Sequence, residues 1–176
     1  MEDKNLRSEQ EIKYAIETYS DTVRRLCFVY LKNHADTEDI FQNVFIKYAY
    51  SEKQFDSREH EKAWIIRVTI NQCKDLLKSF FKCNMVFISE NETFDSLQEQ
   101  QVHTKNSRVL EAVSMLPKKY RVPIYLHYIE GYSAVEIGEM LKKNVNTIYT
   151  NLDRGRKLLK EKLEGNEIDW YCVGQC

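Results

Sequence analysis

Turn-forming residues are scarce in this chain: 176 residues contain only five glycines and two prolines. Strand-rich folds need many tight turns, so the shortage argues against them and for helices. No stretch approaches the roughly 18 uncharged apolar residues that a membrane helix requires. The opening Met1-Glu-Asp-Lys-Asn-Leu-Arg7 is charged and has no apolar run behind it. It does not read as a secretory leader, and a cytoplasmic location is expected. The five cysteines, Cys27, Cys73, Cys83, Cys172 and Cys176, are scattered and form no C-x-x-C pair. A zinc site or disulfide framework is therefore not expected, nor any cofactor. Cys172 and Cys176 could form a redox or metal pair, but plain free thiols are the better reading. Enzyme signatures are missing too: there is no Gly-rich phosphate loop, no H-E-x-x-H and no G-x-S-x-G. The four histidines stand in unrelated contexts, and His127, inside an apolar helical pattern, reads as a packed residue. An enzyme is the weakest functional class.

A one-sided charge is also lacking, since the formal net charge is −1. The balance is uneven along the chain, however. Residues 1–88 carry 14 basic and 14 acidic side chains, and residues 89–107 carry 1 and 4. Residues 108–164 carry 11 basic and 7 acidic side chains, so the positive excess sits in one segment. A local phosphate-binding surface needs that kind of concentration.

The 43% hydrophobic content is arranged with helical spacing. Ile12, Ala15, Ile16, Tyr19, Val23, Leu26, Cys27 and Tyr30 form one stripe from Glu9 to Leu31. Lys32 to Ala35 reads as a turn, and a second helix is expected from Asp36 with Ile40, Phe41, Val44, Phe45 and Tyr48 inward. Its first turn is acidic, as the helix dipole favours. After a polar break from Ser51 to Arg58, a third helix is expected from about Glu59 to Phe80, with Ile66, Ile70, Cys73 and Leu77 in register. The period is lost from Asn84 to Ser107, which reads as an acidic flexible tether. The expected fold is all-α: two small helical domains, 9–83 and 108–164, joined by linker 84–107 and followed by a tail, 165–176.

The second domain carries the functional signal. A helix from Lys118 to Ile129 contains Pro123, which predicts a kink or a later start. Ser133-Ala-Val-Glu136 fits a capping box, opening a short helix from Ala134 to Leu141. A tight turn leads to a long last helix with Asn144 as its N-cap. Two helices joined by so short a turn make a helix-turn-helix, whose second helix lies in the DNA major groove. With Ile148, Leu152, Gly155 and Leu159 inward, the outward residues are Asn146, Thr147, Tyr149, Thr150, Asp153, Arg154 and Lys157. Asn, Thr and Arg can read base edges, and Lys or Arg can hold phosphates. A solvated helix hairpin would have a charged outer face as well. Cap, turn and charge agreeing favours DNA, while Asp153 would repel phosphates unless it orients Arg154 or Arg156 or accepts from a cytosine amine.

Particular segments carry a resemblance. Leu116-Pro-Lys-Lys-Tyr-Arg121, Tyr128-Ile-Glu-Gly-Tyr-Ser133, Glu136-Ile-Gly138, Asn146-Thr-Ile148 and Leu152-Asp-Arg-Gly-Arg156 resemble the C-terminal domain of bacterial sigma factors, of the extracytoplasmic-function (ECF) class. Asp36-Thr-Glu-Asp-Ile-Phe-Gln-Asn-Val-Phe-Ile-Lys47 resembles the family's polymerase-clamp helix. Ala63-Trp-Ile-Ile-Arg-Val-Thr-Ile-Asn71 with Asp75 resembles its promoter-melting helix. The resemblance implies a protein that brings core RNA polymerase to a promoter. Asp36, Asp39, Gln42, Asn43 and Lys47 would meet the polymerase, beside the outward Ile46. Ser51–Glu61 and the following helix would engage the −10 element as single strand, with Arg67, Lys74 and Lys78 on phosphates and Asn71 on a base or loop. Phe55 fits either a stacking platform or a core plug, and Trp64 reads as structural. The helix-turn-helix would read the −35 element as duplex. The resemblance also implies an inhibitory anti-sigma partner.

Two departures from the family stand out. Arg154-Gly-Arg156 replaces the usual Arg-Ala-Arg, and a glycine inside a helix costs about 1 kcal/mol relative to alanine, implying close packing or local looseness. The turn Lys142-Lys-Asn-Val is more basic than the usual Gly-containing turn. The competing reading is a free-standing helix-turn-helix regulator acting as a dimer, with the N-terminal bundle as a ligand or dimer domain. A protein-interaction adaptor would need an exposed apolar stripe on the last helix, and none is visible.

Overall fold

A serine and a glutamate three residues apart, Ser8 and Glu11, open the first of the seven helices found among the described residues. The computed structural model describes residues 6–31, 34–83 and 105–164, and among these no strand occurs. The helices are α1 (Glu9–Leu31), α2 (His34–Ala49), α3 (Arg58–Cys83), α4 (Lys105–Ser114), α5 (Lys118–Tyr128), α6 (Ala134–Leu141) and α7 (Val145–Glu164). No described helix is long and apolar enough to cross a membrane. Two compact units result, the first containing α1 as far as Cys27 with α2 and α3, the second containing α4 to α7.

In the first unit, the Ser8 hydroxyl accepts from the Glu11 N–H at 3.3 Å while the Glu11 carboxylate accepts from the Ser8 N–H at 2.9 Å. This capping box satisfies two donors the helix would otherwise leave bare. Those Ser8 hydrogen bonds hold the Glu11 carboxyl below its ordinary range. The core is Ala15, Tyr19, Val23, Leu26 and Cys27 of α1, Ile40, Val44, Phe45 and Tyr48 of α2, and Ile65, Ile66, Ile70 and Cys73 of α3. Ile12, Ile16 and Tyr30 of the α1 stripe, together with Phe41 and Leu77, all expected inward, are only half-buried. The Arg24 guanidinium lies 3.9 Å from the Phe41 ring centroid and pairs with Glu38, which keeps Phe41 at the rim. Helix α2 begins at His34, not at Asp36, so His34 and Ala35 are helical and not part of a turn. Neither is glycine or proline, so nothing stops the helix from running back; Lys32 and Asn33 lie outside the described residues. Helix α3 likewise extends past Phe80 to Cys83. The expected linker 84–107 falls outside the described residues except 105–107, which open α4. The tail 165–176 also lies outside them.

In the second unit, α5 starts at Lys118 behind Pro117 and continues through Pro123 to Tyr128, with Ile129 as its cap. Its buried face, Val122 to Leu126, packs with Leu116, Ile137, Met140, Leu141, Ile148, Leu152 and Leu159 into one core. Gly155 is the point of closest approach between α7 and α5. A methyl group built there would lie 2.7 Å from Ile124 Cγ1 and 3.2 Å from Tyr120 Cβ. The departure from Arg-Ala-Arg thus reflects close packing. Alanine gains about 1 kcal/mol of helix propensity, but overpacking against a fully buried isoleucine costs roughly 1–3 kcal/mol. Gly155→Ala should therefore lower the stability of this unit in a chemical denaturation series, and a higher unfolding midpoint would show that α5 can yield.

Candidate nucleic-acid interface

The helix-turn-helix is built from two caps and one strained residue. Ser133 and Glu136 form the expected capping box, with the Ser133 N–H donating to the Glu136 carboxylate at 2.8 Å. Hydrogen bonds from Ser133 hold the Glu136 carboxyl below its ordinary range. Asn144 caps α7: its side-chain oxygen accepts from the Asn146 N–H at 2.9 Å. Between the helices, Lys142 adopts φ 54° and ψ 49°, the left-handed region usually left to glycine. The chain then turns sharply enough that the Lys143 N–H reaches the Gly138 carbonyl at 2.9 Å. A methyl group on Gly138 would meet the Lys143 carbonyl oxygen at 3.0 Å, so the turn presses against α6. Lys142→Gly should relieve the left-handed strain and stabilise this unit by roughly 0.5–1 kcal/mol. A lowered midpoint on thermal melting would refute this account of the turn.

Burial divides α7 as its spacing predicts. Ile148, Leu152, Gly155 and Leu159 are buried, while Asn146, Thr147, Tyr149, Thr150, Asp153, Arg154 and Lys157 are all exposed. Tyr149 is 57% exposed, unusually open for an aromatic ring. Thr150 turns its hydroxyl back to the Asn146 carbonyl at 2.9 Å. The acidic residue is neutralised locally: Asp153 pairs with Lys157 at 2.9 Å and with Arg156 at 3.9 Å. The Lys157 hydrogen bond, followed by the nearby positive charges, draws the Asp153 carboxyl below its ordinary range. Of the two arginines it could have oriented, its ion pair is with Arg156. Arg154 instead lies beside the Tyr120 hydroxyl, which Lys119 and then Arg154 hold below the usual tyrosine range. The close packing at Gly155 is what brings the start of α5 up to Arg154.

In the first unit, Asp39, Gln42, Asn43 and Lys47 are exposed along one side of α2, and Asp36 is half-buried. Ile46 and Tyr50, one helical turn apart, are 52% and 54% exposed on the same side. Spacings of four, three and four residues put Arg67, Asn71, Lys74 and Lys78 on one face of α3. Arg67, Asn71 and Lys78 are exposed, Lys74 is half-buried, and Lys78 lies 3.7 Å from Asp75. Phe55 sits in an aromatic cluster, parallel to Tyr48 with ring centroids 6.3 Å apart and tilted against Trp64 at 5.6 Å. The Arg7 guanidinium covers both Tyr48 and Phe55, at 4.6 and 4.9 Å. Glu61 closes the back of this cluster. Its carboxylate accepts from the Tyr19 hydroxyl at 2.9 Å and from the Tyr48 hydroxyl. Arg7 and Glu61 carry no signal in the sequence pattern, because the rings they hold, Tyr48 and Phe55 for Arg7 and Tyr19 and Tyr48 for Glu61, lie a dozen or more positions away along the chain.

Family profiles match both units: Sigma-70 region 2 over residues 15–79 and Sigma-70 region 4 over residues 106–159. The chain is 30% identical over 161 residues to the ECF RNA polymerase sigma factor SigW of Bacillus subtilis (strain 168), covering 84% of this chain and 86% of that protein. It is also 30% identical over 145 residues to the RNA polymerase sigma factor SigV of the same organism, covering 82% and 86%. Among solved structures, it is similar in fold to the sigma factor RpoE from Bartonella quintana in complex with the anti-sigma factor NepR. That likeness has a TM-score of 0.67 and 20% identity, covering 90% of this chain and 99% of the other. CnrH, in complex with the cytosolic domain of CnrY, is similar with a TM-score of 0.60 and 17% identity, covering 92% of each chain.

Proposed function

Because this chain belongs to the sigma-70 family as an RNA polymerase sigma factor of the ECF type, we propose that its exposed faces divide the work of promoter recognition. Sigma factors are regulatory proteins, and this one acts in transcription initiation. The α2 face of Asp36, Asp39, Gln42, Asn43 and Lys47, with Ile46 and Tyr50 beside it, meets the clamp of core polymerase. Two exposed apolar side chains one turn apart, rimmed by polar ones, suit a protein interface. The α3 stripe of Arg67, Asn71, Lys74 and Lys78 tracks single-stranded −10 DNA, a cation about every turn following the phosphates. Phe55, in this reading, shapes the preceding segment from within its cluster and does not stack on a base. On α7, Asn146, Thr147, Tyr149, Thr150 and Arg154 face the −35 duplex, while Asp153 tempers Arg156 and Lys157 at the edge.

The observation that carries this reading is the pairing, in one chain and in order, of a region 2 match and a region 4 match. A free-standing dimeric regulator is not favoured, because it leaves the region 2 match without a role. We further propose that 9–83 and 108–164 fold as separate domains joined by 84–107, and that the protein works in the cytoplasm. An anti-sigma protein is expected as its inhibitor, in line with the partnered states of RpoE and CnrH.

The direct test mixes the purified chain with core polymerase and asks for run-off transcripts from genomic fragments. Absence of any specific transcript and of co-migration with core, together with tight duplex binding by the chain alone, would overturn the reading. Arg154→Ala should weaken binding of the cognate −35 duplex by about 1–3 kcal/mol and relax base preference where Arg154 reaches. Unchanged affinity in a fluorescence-anisotropy titration would move the reading face elsewhere on the unit.

A further inference from the structure

The segment Ser51–Ser57 joins α2 to α3 without regular structure, yet it is tied down along its length. The Ser51 N–H donates to the Tyr48 carbonyl at 3.1 Å and the Lys53 N–H to the Ser51 hydroxyl at 3.3 Å. At the far end, the Tyr19 hydroxyl, whose single proton goes chiefly to Glu61, lies 3.3 Å from the Arg58 carbonyl, and the Ser57 hydroxyl accepts from the His60 N–H at 3.1 Å. The middle depends on one residue from outside the segment. Arg7 donates through one guanidinium nitrogen to the Lys53 carbonyl, and its planar face covers Phe55 and Tyr48. Its Nε donates to the Tyr48 carbonyl at 3.2 Å, and its remaining nitrogen faces the Glu11 carboxylate at 3.4 Å. The Arg7 N–H donates to the Ala49 carbonyl at 2.9 Å, fixing its backbone to the end of α2. For an arginine ahead of the first helix, a side chain only 10% exposed marks a structural tie, not a solvated charge.

We propose that Arg7 is a positioning residue that holds Ser51–Ser57 in the shape that captures unpaired promoter DNA. The proposal rests on the reading above, in which this segment and α3 engage the −10 element. Glu52, Lys53, Gln54 and Asp56 are exposed on the held segment, so their polar groups are presented while the backbone at Lys53 is hydrogen-bonded to Arg7 and Ser51. Discrimination among flexible single-stranded bases requires polar groups that are placed before binding, since ordering them on binding subtracts from affinity. Only a planar fork reaches two carbonyls, a carboxylate and two ring faces at once, so lysine is no substitute.

The test uses holoenzyme assembled from the full chain and core polymerase, offered a pool of single-stranded DNA oligonucleotides randomised at their centre. Wild-type holoenzyme should enrich one sequence motif. Arg7→Ala should lower that enrichment about tenfold, the discrimination that one base position commonly carries. Its affinity for core polymerase and for the −35 duplex should stay unchanged, which a general loss of folding would not allow. Arg7→Lys, which keeps the charge and most of the stem, should fall by a similar factor, and it decides the matter if the alanine variant does not fold. Equal enrichment of the same motif by both folded variants overturns the role of Arg7 and leaves the −10 reading standing. If wild-type holoenzyme enriches no motif, the −10 reading itself fails and takes the role of Arg7 with it.

Discussion

Ile148→Ala should destabilise the helix-turn-helix unit by about 2–5 kcal/mol, the range for emptying a fully buried aliphatic site. Ile148 has no exposed surface and is the first inward residue of α7, one turn after the Asn144 cap. Leu152 and Leu159 continue the same buried line along the helix. Removing the first of these contacts leaves a cavity where α7 begins, next to a turn already strained at Lys142. Tyr149 and Thr147 flank it in sequence but point outward, so the loss would be felt by −35 binding only through the placement of the helix. In a unit of this size, 1 kcal/mol moves the melting temperature by roughly 4–8 °C. A circular-dichroism melt of the full chain should therefore show one transition lowered by about 10 °C or more. Thr147→Ala, at an exposed neighbour, should stay within about 0.5 kcal/mol of the parent. A shift for Ile148→Ala no larger than that of Thr147→Ala would mean α7 is not docked through this residue.

The second large effect is expected at Glu61. Its carboxylate satisfies two tyrosine hydroxyls whose rings belong to the core of the first unit, Tyr19 at 4% and Tyr48 at 1% exposure. Tyr19 retains a weak second partner in the Arg58 carbonyl, while Tyr48 is left depending on what can enter the space. Glu61→Ala should cost about 2–4 kcal/mol, since each buried polar group left unpaired costs 1–3 kcal/mol. Glu61→Gln keeps an acceptor and should lose less. Comparing Glu61→Ala, Tyr48→Phe and the double variant isolates the coupling between them. An additive result would show that the hydrogen bond contributes nothing beyond packing.

The same cluster sets a pH dependence. Burial first, and then the hydrogen bond to Glu61, push both tyrosine hydroxyls well above their usual pKa. In the unfolded chain these groups lose their protons near pH 10. Above that pH the folded state holds more protons than the unfolded one, so stability falls as pH rises further. Below pH 10 the contribution is fully present. Glu61→Ala should flatten this alkaline decline, because one cause of the raised pKa is gone while burial persists. Urea midpoints measured between neutral and alkaline pH would reveal a steeper decline instead if the mechanism were wrong.

What could be read from residues alone was whatever depends on near neighbours. The helical stripes of α1, α2 and α3, the capping box at Ser133, the Asn144 cap and the inward line of α7 each rest on spacings of two to four residues. Such spacings are printed in the chain itself, so the helix-turn-helix and its exposed face were legible without coordinates. Helix ends were less so: with few glycines or prolines to stop them, α2 began earlier and α3 ran further than the polar breaks suggested. The tertiary structure decided the rest. It placed Arg7 on Phe55 and Glu61 between Tyr19 and Tyr48, pairings between residues more than a dozen positions apart. It gave Gly155 its reason, close approach to Ile124, where residue type alone left packing and looseness equally open. It also turned Asp153 towards Lys157 and Arg156 and left Arg154 beside Tyr120. Local periodicity specifies which face of a helix is buried. Which residue of another helix meets that face depends on how the helices pack, and no spacing along the chain encodes it.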